Sequence, residues 1–595
     1  MDHHSDEGRQ TASALSPVSS NTAVTKEASG SNNLAVDASP STPKPSPKRK
    51  RLQLSANRLL SLDLLRGLAI LVMITCNAQM GDAVFYILAH PAWIGFTIAD
   101  TVFPCFLFIT GCTLPLSVRA DPNPQPGNNY YRNHALRILK RSIIIWFLGI
   151  VLNLYGLVQL HVAADQFRWP GVLNRIGFCY LVVGWMHVLV LARGRIPEKP
   201  LSISYLHPSS GSSGLTADID LDVKSEKVQE SQRDDTGPWP WFVRVTLPYY
   251  LPISCLAVWL ICTYSVQVEG CPQRGMVEDP ECSAQAYFDL IIFGKAHTYR
   301  HLAFDPEGAL STLTSILNVW LGWFIGCTVR TLNAQVKQLT NDFKARKEIR
   351  GDDDGVLALA DQVLEQEMLV RLYATHLGYW FWLGILWTFT GWVFSLGLPL
   401  SKPSWTATFA VMSSGIAQLV LSVLFYKFDA QPKFQRLQQL HLEHQAYRSN
   451  NQLSRHHHHY QRSSQGNNAD DLEQPATTAQ RSNYSGALHL YFQVDHFLRH
   501  WFRKAVVVVL GSMGRNAILM YMCSELVQGT CSLIPGGPAD PVTGEAPDLC
   551  GAAFQHTWGA LDIGGWGSLF YSLGFAALHV LLAIFLDHKK WYFKV

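Results

Sequence analysis

The chain has 595 residues, of which 48% are hydrophobic and only 16% charged, with 18 Trp and 29 Phe. A net charge of +3 gives no basic footprint for nucleic acid, and this apolar content is that of a membrane protein rather than a soluble domain.

The first 57 residues are rich in Ser, Pro, Thr and Asn and end in "KPSPKRKR". They cannot bury a core and are expected to be a disordered cytosolic tail without a cleavable signal peptide. Residues 58–595 are expected to form the membrane domain. Apolar runs of about 20 residues, the length that crosses a bilayer, fall near 59–80, 97–117, 142–160, 171–192, 243–265, 309–330, 372–398, 405–426, 504–527 and 564–586. The expected fold is therefore an all-α polytopic membrane protein, a bundle of about 10 transmembrane helices. Two polar stretches, near 200–240 and 427–500, read as disordered cytosolic inserts; the second holds His456 to His459 amid Asn, Gln, Ser and Arg, which reads as a solvated tract. No internal repeat, phosphate-cradling glycine loop or zinc spacing is visible.

Lys and Arg flanking the spans collect on one side, which the positive-inside rule makes cytosolic together with both termini. Cys271, Cys282, Cys531 and Cys550 then fall in loops of the other, oxidising side, where Cys271 can bond Cys282 and Cys531 can bond Cys550, although spacing does not fix connectivity.

Polar residues inside the spans carry the functional signal. Asp63 and Arg66 are three apart in the first span and can pair. In "HPAWIGFTIADTVFPCFLFITG", residues 90–111, Asp100 shares a face with Trp93, Thr97, Pro104, Leu107 and Gly111, and the small Gly111 and Thr97 make that face suited to close helix contact. His90 precedes Pro91, which places it outside the helix at a mouth of the bundle. Arg175, His376, Asn516 and Glu525 are further intramembrane polar groups. This pattern fits two classes, a proton-coupled transporter and a membrane-embedded enzyme.

Motifs separate them. "RLLSLDLLRGLAILVMITCN", the His90 block, "RWPGVLNRIG", "CPQRGMVEDPECSAQAYFDLIIFGKAHTYRHLAFDPEGALSTLTSI", "PLSKPSWTATFAVMSSG", "GRNAILMYMCSE" and "HKKWYFKV" follow one another along the chain. In these the sequence resembles the heparan-alpha-glucosaminide N-acetyltransferase family, a branch of the transmembrane acyltransferases, from about residue 58 to the C-terminus. The resemblance implies an enzyme that moves acetyl from cytosolic acetyl-CoA to the amino group of a lumenal glucosamine-type sugar in a vacuolar, lysosomal or other endomembrane, as in glycosaminoglycan degradation. The alternative is a transporter or a non-catalytic sugar-binding relative. By its H-x-x-W-x-G-x-x-x-x-D block the catalytic residue is His90, with Asp100 as its carboxylate. Asn77 is a candidate oxyanion donor. Imidazole chemistry allows either a covalent acetyl-imidazole or a general base in a ternary complex. Arg132, Arg137, Lys140 and Arg141 are candidates by charge for the CoA phosphates. Trp93, Lys402 and Trp405 are candidates for sugar contact, although an interfacial belt accounts equally for Trp405. "DPEG" at 305–308 reads as a helix start, with Pro306 in the first turn and Glu307 near the dipole's positive end. The partners expected are the amino sugar, acetyl-CoA and lipid, with homodimer formation left open and no metal.

Overall fold

The structure is a computed structural model that describes residues 59–81, 83–120, 129–160, 164–193, 238–350, 355–463, 486–537, 547–559 and 564–593. The expected N-terminal tail and most of the insert near 200–240 lie outside the described residues. Helices dominate: α1 (Leu60–Asn77), α2 (Ile98–Ser117), α3 (Tyr130–Leu160), α4 (Val172–Arg193), α5 (Pro238–Ser265), the short α6 (Ala284–Ile292), α7 (Ala309–Arg350), α8 (Gly355–Phe394), α9 (Ala407–Phe425), α10 (Gln431–Ser463), α11 (Gly486–Arg515), α12 (Ala517–Leu533), α13 (Leu549–Thr557) and α14 (Trp566–His588).

Eight of these helices are long and apolar enough to cross a membrane, or nine if α11 and α12 are one span bent by 79°. Sequence reading expected about ten. Residues 372–394 of the 372–398 run are helical within α8, where Tyr379, Trp380, Trp382, Trp387 and Trp392 dilute the aliphatic content by which a span is recognised. The other departure is the 427–500 stretch. A π-helical turn, Tyr426–Ala430, leads into the 33-residue α10, and residues 486–500 begin α11, so only 464–485 of that expected insert lie outside the described residues. α10 is polar but built from strong helix formers, with Pro432 in its first turn. Leu440 is buried, and Gln366 Nε2 of α8 donates to Lys433 O at 2.9 Å.

α2 and α7 form the seam on which the site is built. A methyl on Gly111 would stand 1.9 Å from Val319 O, one on Gly322 1.9 Å from Phe108 O, and one on Gly326 2.3 Å from Cys112 O. The two helices thus touch backbone to backbone, in the way small residues permit in membranes, and the inward face read from Gly111 is observed. Gly322→Val is expected to cost about 1–3 kcal/mol or more by overpacking. Thermal unfolding in detergent should show the loss, with Gly156→Ala unchanged because nothing lies within 4 Å of a methyl there.

The first-span pair is formed: Arg66 Nη1 donates to Asp63 Oδ1 at 3.2 Å. Cys271 and Cys282 are disulfide-bonded. Cys531 and Cys550 are free thiols, so the second expected bridge is not formed in this structure.

Candidate active site

α1 ends at Asn77, a 3-10 turn spans Tyr86–Leu88, and His90 follows in extended chain before Pro91. Asp100 sits in the first turn of α2, where its Oδ2 accepts the backbone N–H of Thr97 at 3.1 Å and satisfies one of the orphan donors of the helix start. The Thr97 hydroxyl lies 2.8 Å from Ala89 O, tying the His90 segment to the helix. Asp100 Oδ1 is 2.7 Å from His90 Nδ1. The carboxylate is 1% exposed and the imidazole 43% exposed, so a buried anion holds a ring that faces open space. With Nδ1–H donating to Asp100, the lone pair is on Nε2, which is the tautomer a base or nucleophile needs.

Lys402 completes the cluster from 312 residues away. Its Nζ is 3.2 Å from His90 Nδ1, 3.4 Å from His90 Nε2 and 3.5 Å from Asp100 Oδ1. Burial holds its ammonium below the usual lysine value, opposed by Asp100 and Glu307. The turn that presents Lys402 is anchored by Trp405, whose backbone is left-handed at φ 49 and whose Nε1 donates to Asn318 Oδ1 at 2.9 Å. Trp405 is buried against Phe103 and Phe409, with the Arg175 guanidinium 4.8 Å from its ring. It is therefore core and not a sugar platform. The same correction applies to Trp93, which is buried, packs against Phe304 and donates to Val277 O at 2.8 Å. Gly95 N–H, at φ 141, donates to Leu400 O at 2.9 Å and joins the His90 and Lys402 segments.

This cluster opens on a cavity of about 900 Å³, at the large end of ordinary ligand pockets. Both Ala99 and Ser117 line it, the two ends of α2, so it follows that helix for about 27 Å at 1.5 Å per residue, close to the thickness of a hydrocarbon core. His90 and Lys402 stand at one end and Arg66, Arg141 and Arg515 toward the other. Of the four cations expected to serve CoA, only Arg141 is among the lining residues; Arg132, Arg137 and Lys140 are not. Arg515 is already committed, clamping Asp587 through Nε at 2.7 Å and Nη2 at 2.6 Å.

Asn77 lines the cavity, but its Nδ2 donates to Glu525 Oε1 at 3.2 Å and its backbone O accepts from Gln528 Nε2 at 2.8 Å. His376 Nδ1 donates to Leu372 O at 3.0 Å, within its own helix, and stands outside the cavity lining. Arg175 reaches Pro306 O at 2.8 Å. Asn516 separates α11 from α12, and its Oδ1 accepts the backbone N–H of Phe593 at 3.2 Å.

The residues that sequence reading missed are Arg168 and the true role of "DPEG". α7 begins at Ala309, beyond Pro306 and Glu307, because Asp305 is turned inward. Arg168 grips Asp305 through Nε at 2.8 Å and Nη2 at 2.7 Å and also bonds Glu307, and its guanidinium lies 4.9 Å from the Tyr299 ring. Arg168, Tyr299 and Glu307 all line the cavity. Asp289 of α6 accepts the backbone N–H groups of Asp305 at 3.0 Å and Ala309 at 2.9 Å. Burial pushes its carboxyl from 3.8 up to about 7, with the two N–H donors opposing. A raised acid is more protonated folded than unfolded, so its stabilisation is complete below 3.8 and is lost as pH rises through about 7. Asp289→Asn is expected to flatten that part of the melting-temperature profile.

Fold and site together define a class: a polytopic all-α membrane protein with a histidine–carboxylate–lysine cluster at one end of a cavity that follows the bundle. Residues 58–193 match the family model described as heparan-alpha-glucosaminide N-acetyltransferase, catalytic. It is 30% identical over 320 residues to heparan-alpha-glucosaminide N-acetyltransferase of Homo sapiens, covering 50% of this chain and 42% of that protein. The protein of the same name from Mus musculus is 30% identical over 312 residues, 49% of this chain and 42% of that one. The matches thus span less than half the length of these curated relatives. The family region contains Asn77, His90, Asp100, Arg141 and Arg168, whereas Lys402, Glu307 and Glu525 lie beyond it.

Proposed function

We propose that the protein transfers acetyl from acetyl-CoA to the amino group of a glucosamine-type sugar, the donor entering from the Arg141 end of the cavity and the acceptor meeting it at His90. The observation that carries this reading is the cavity's passage along the whole of α2 to the His90–Asp100 pair, which lets two substrates from opposite sides of a bilayer share one centre. In this reading the Arg141 end faces the cytosol, both termini lie there, and the membrane is vacuolar, lysosomal or another endomembrane.

His90 Nε2 has two uses. It can attack the thioester carbon, releasing CoA thiolate and holding acetyl until the amine takes it, or it can accept a proton from the amine as that amine attacks the thioester directly. Asp100 serves both by fixing the tautomer and balancing the imidazolium. Lys402, beside the ring and Asp100, supplies positive charge where the carbonyl oxygen turns anionic. Asn77 keeps one amide hydrogen free of Glu525 and is a second donor to that oxygen. Arg141 serves a CoA phosphate as a point contact.

The test follows labelled acetyl from acetyl-CoA to glucosamine in isolated membranes. Label on the sugar supports the reading, and label retained on protein before sugar is added selects the covalent route. Well-folded protein that consumes no acetyl-CoA with any amino sugar overturns it.

A further inference from the structure

We propose that Glu525 selects a cationic acceptor, its carboxylate receiving the ammonium of the amino sugar inside the cavity. This rests on the acetyl-transfer reading and adds to it the residue that recognises the acceptor's charge.

Glu525 lies on α12 and lines the cavity. An ionisable group within a membrane span is costly and calls for a partner. One of its oxygens accepts the Asn77 amide, and among the described residues no Lys, Arg or His is in ion-pair contact with it. Of the nearby carboxylates, Asp100 has Lys402 and His90, Asp305 and Glu307 share Arg168, and Asp289, outside the cavity lining, accepts two backbone N–H groups. Glu525 is thus the cavity carboxylate whose charge the chain leaves unmatched there. Its position is also right. Cys76, Asn77, His90, Lys402 and Glu525 all line the same cavity. Tyr521, one turn earlier on α12, lies within electrostatic reach of Glu525, Glu307 and Arg168.

A 2-amino sugar arrives mainly as its ammonium and must lose a proton to become a nucleophile. Overall, R–NH3⁺ and acetyl-S-CoA give R–NH–CO–CH3, CoA-SH and a proton. The N–C bond forms as the C–S bond breaks, one ammonium proton ends on the CoA sulfur, and the other leaves through His90 Nε2. Glu525 acts before this, binding the cation; a hydroxyl acceptor of the same shape forfeits that contact.

Binding of glucosamine and of glucose to the purified full-length protein in detergent tests the proposal without turnover. Wild type is expected to prefer glucosamine by roughly 10- to 100-fold, the weight of a charged hydrogen bond. Glu525→Gln should erase the preference while acetyl-CoA binds as before. A preference retained in Glu525→Gln, or absent from wild type, overturns it. Should Glu525→Gln not be recovered folded, Glu525→Asp keeps the charge but withdraws it, and must weaken glucosamine binding with acetyl-CoA binding unchanged; undiminished glucosamine binding overturns the proposal. The two readings fail separately. Glucosamine preference that depends on Glu525 without acetyl transfer removes the transfer reading, whereas full transfer by Glu525→Gln with an unchanged KM for glucosamine removes this one.

Discussion

Replacing His90 with alanine is expected to abolish acetyl transfer to glucosamine, a loss of at least roughly 10³-fold, because either route passes through Nε2. Folding should survive the change. The imidazole is 43% exposed, and Asp100 keeps the Thr97 N–H at 3.1 Å and Lys402 at 3.5 Å, so no buried charge is stranded. The check is a transfer assay beside a melting curve: lost transfer with an intact transition supports the role, and lost transfer with a collapsed transition marks His90 as structural. Retained transfer removes His90 from the chemistry.

Asp100→Asn is expected to lower the transfer rate by roughly 10²- to 10⁴-fold, the scale seen when a catalytic imidazole loses its carboxylate. An amide can offer its N–H to Nδ1 and so favour the tautomer with Nε2 protonated. It also leaves Lys402 without its nearest anion, 3.5 Å away. His90 and Asp100 act as one unit, so the double variant should be scarcely worse than His90→Ala alone. Additive losses in that cycle would mean that Asp100 contributes elsewhere, through the start of α2.

Much of this was legible where the relevant partners are near in sequence. The Asp63–Arg66 pair and the inward face of α2 follow from helical periodicity, and the place of His90 outside the helix from what Pro91 forbids, whereas Asp100 as its partner is implied by the resemblance of the H-x-x-W-x-G-x-x-x-x-D block. The rest depends on contacts that periodicity cannot see. Lys402 is 312 residues from His90, Glu525 is 448 from Asn77 and Arg168 is 137 from Asp305. Aromatic residues misled for a different reason. Trp93, Trp405 and the rings of α8 have surfaces that suit a sugar, a bilayer interface or a core equally well, and only burial and the N–H partner decide among them. Trp405 took the core, three residues from the Lys402 that lies beside His90 and Asp100.

The seam between α2 and α7 has a mechanical consequence. Where glycine lets carbonyl oxygen meet backbone, no side chain remains to slide, swap rotamer or compress, and the two helices behave as one beam. The cavity wall from Ala99 to Ser117 is then a ruler of about 27 Å, with His90 fixed beside one end and Arg141 toward the other. On the proposed reading, a donor reaches His90 by its own length along that ruler. The facing wall is the one that bends, by 79° at Asn516 between α11 and α12.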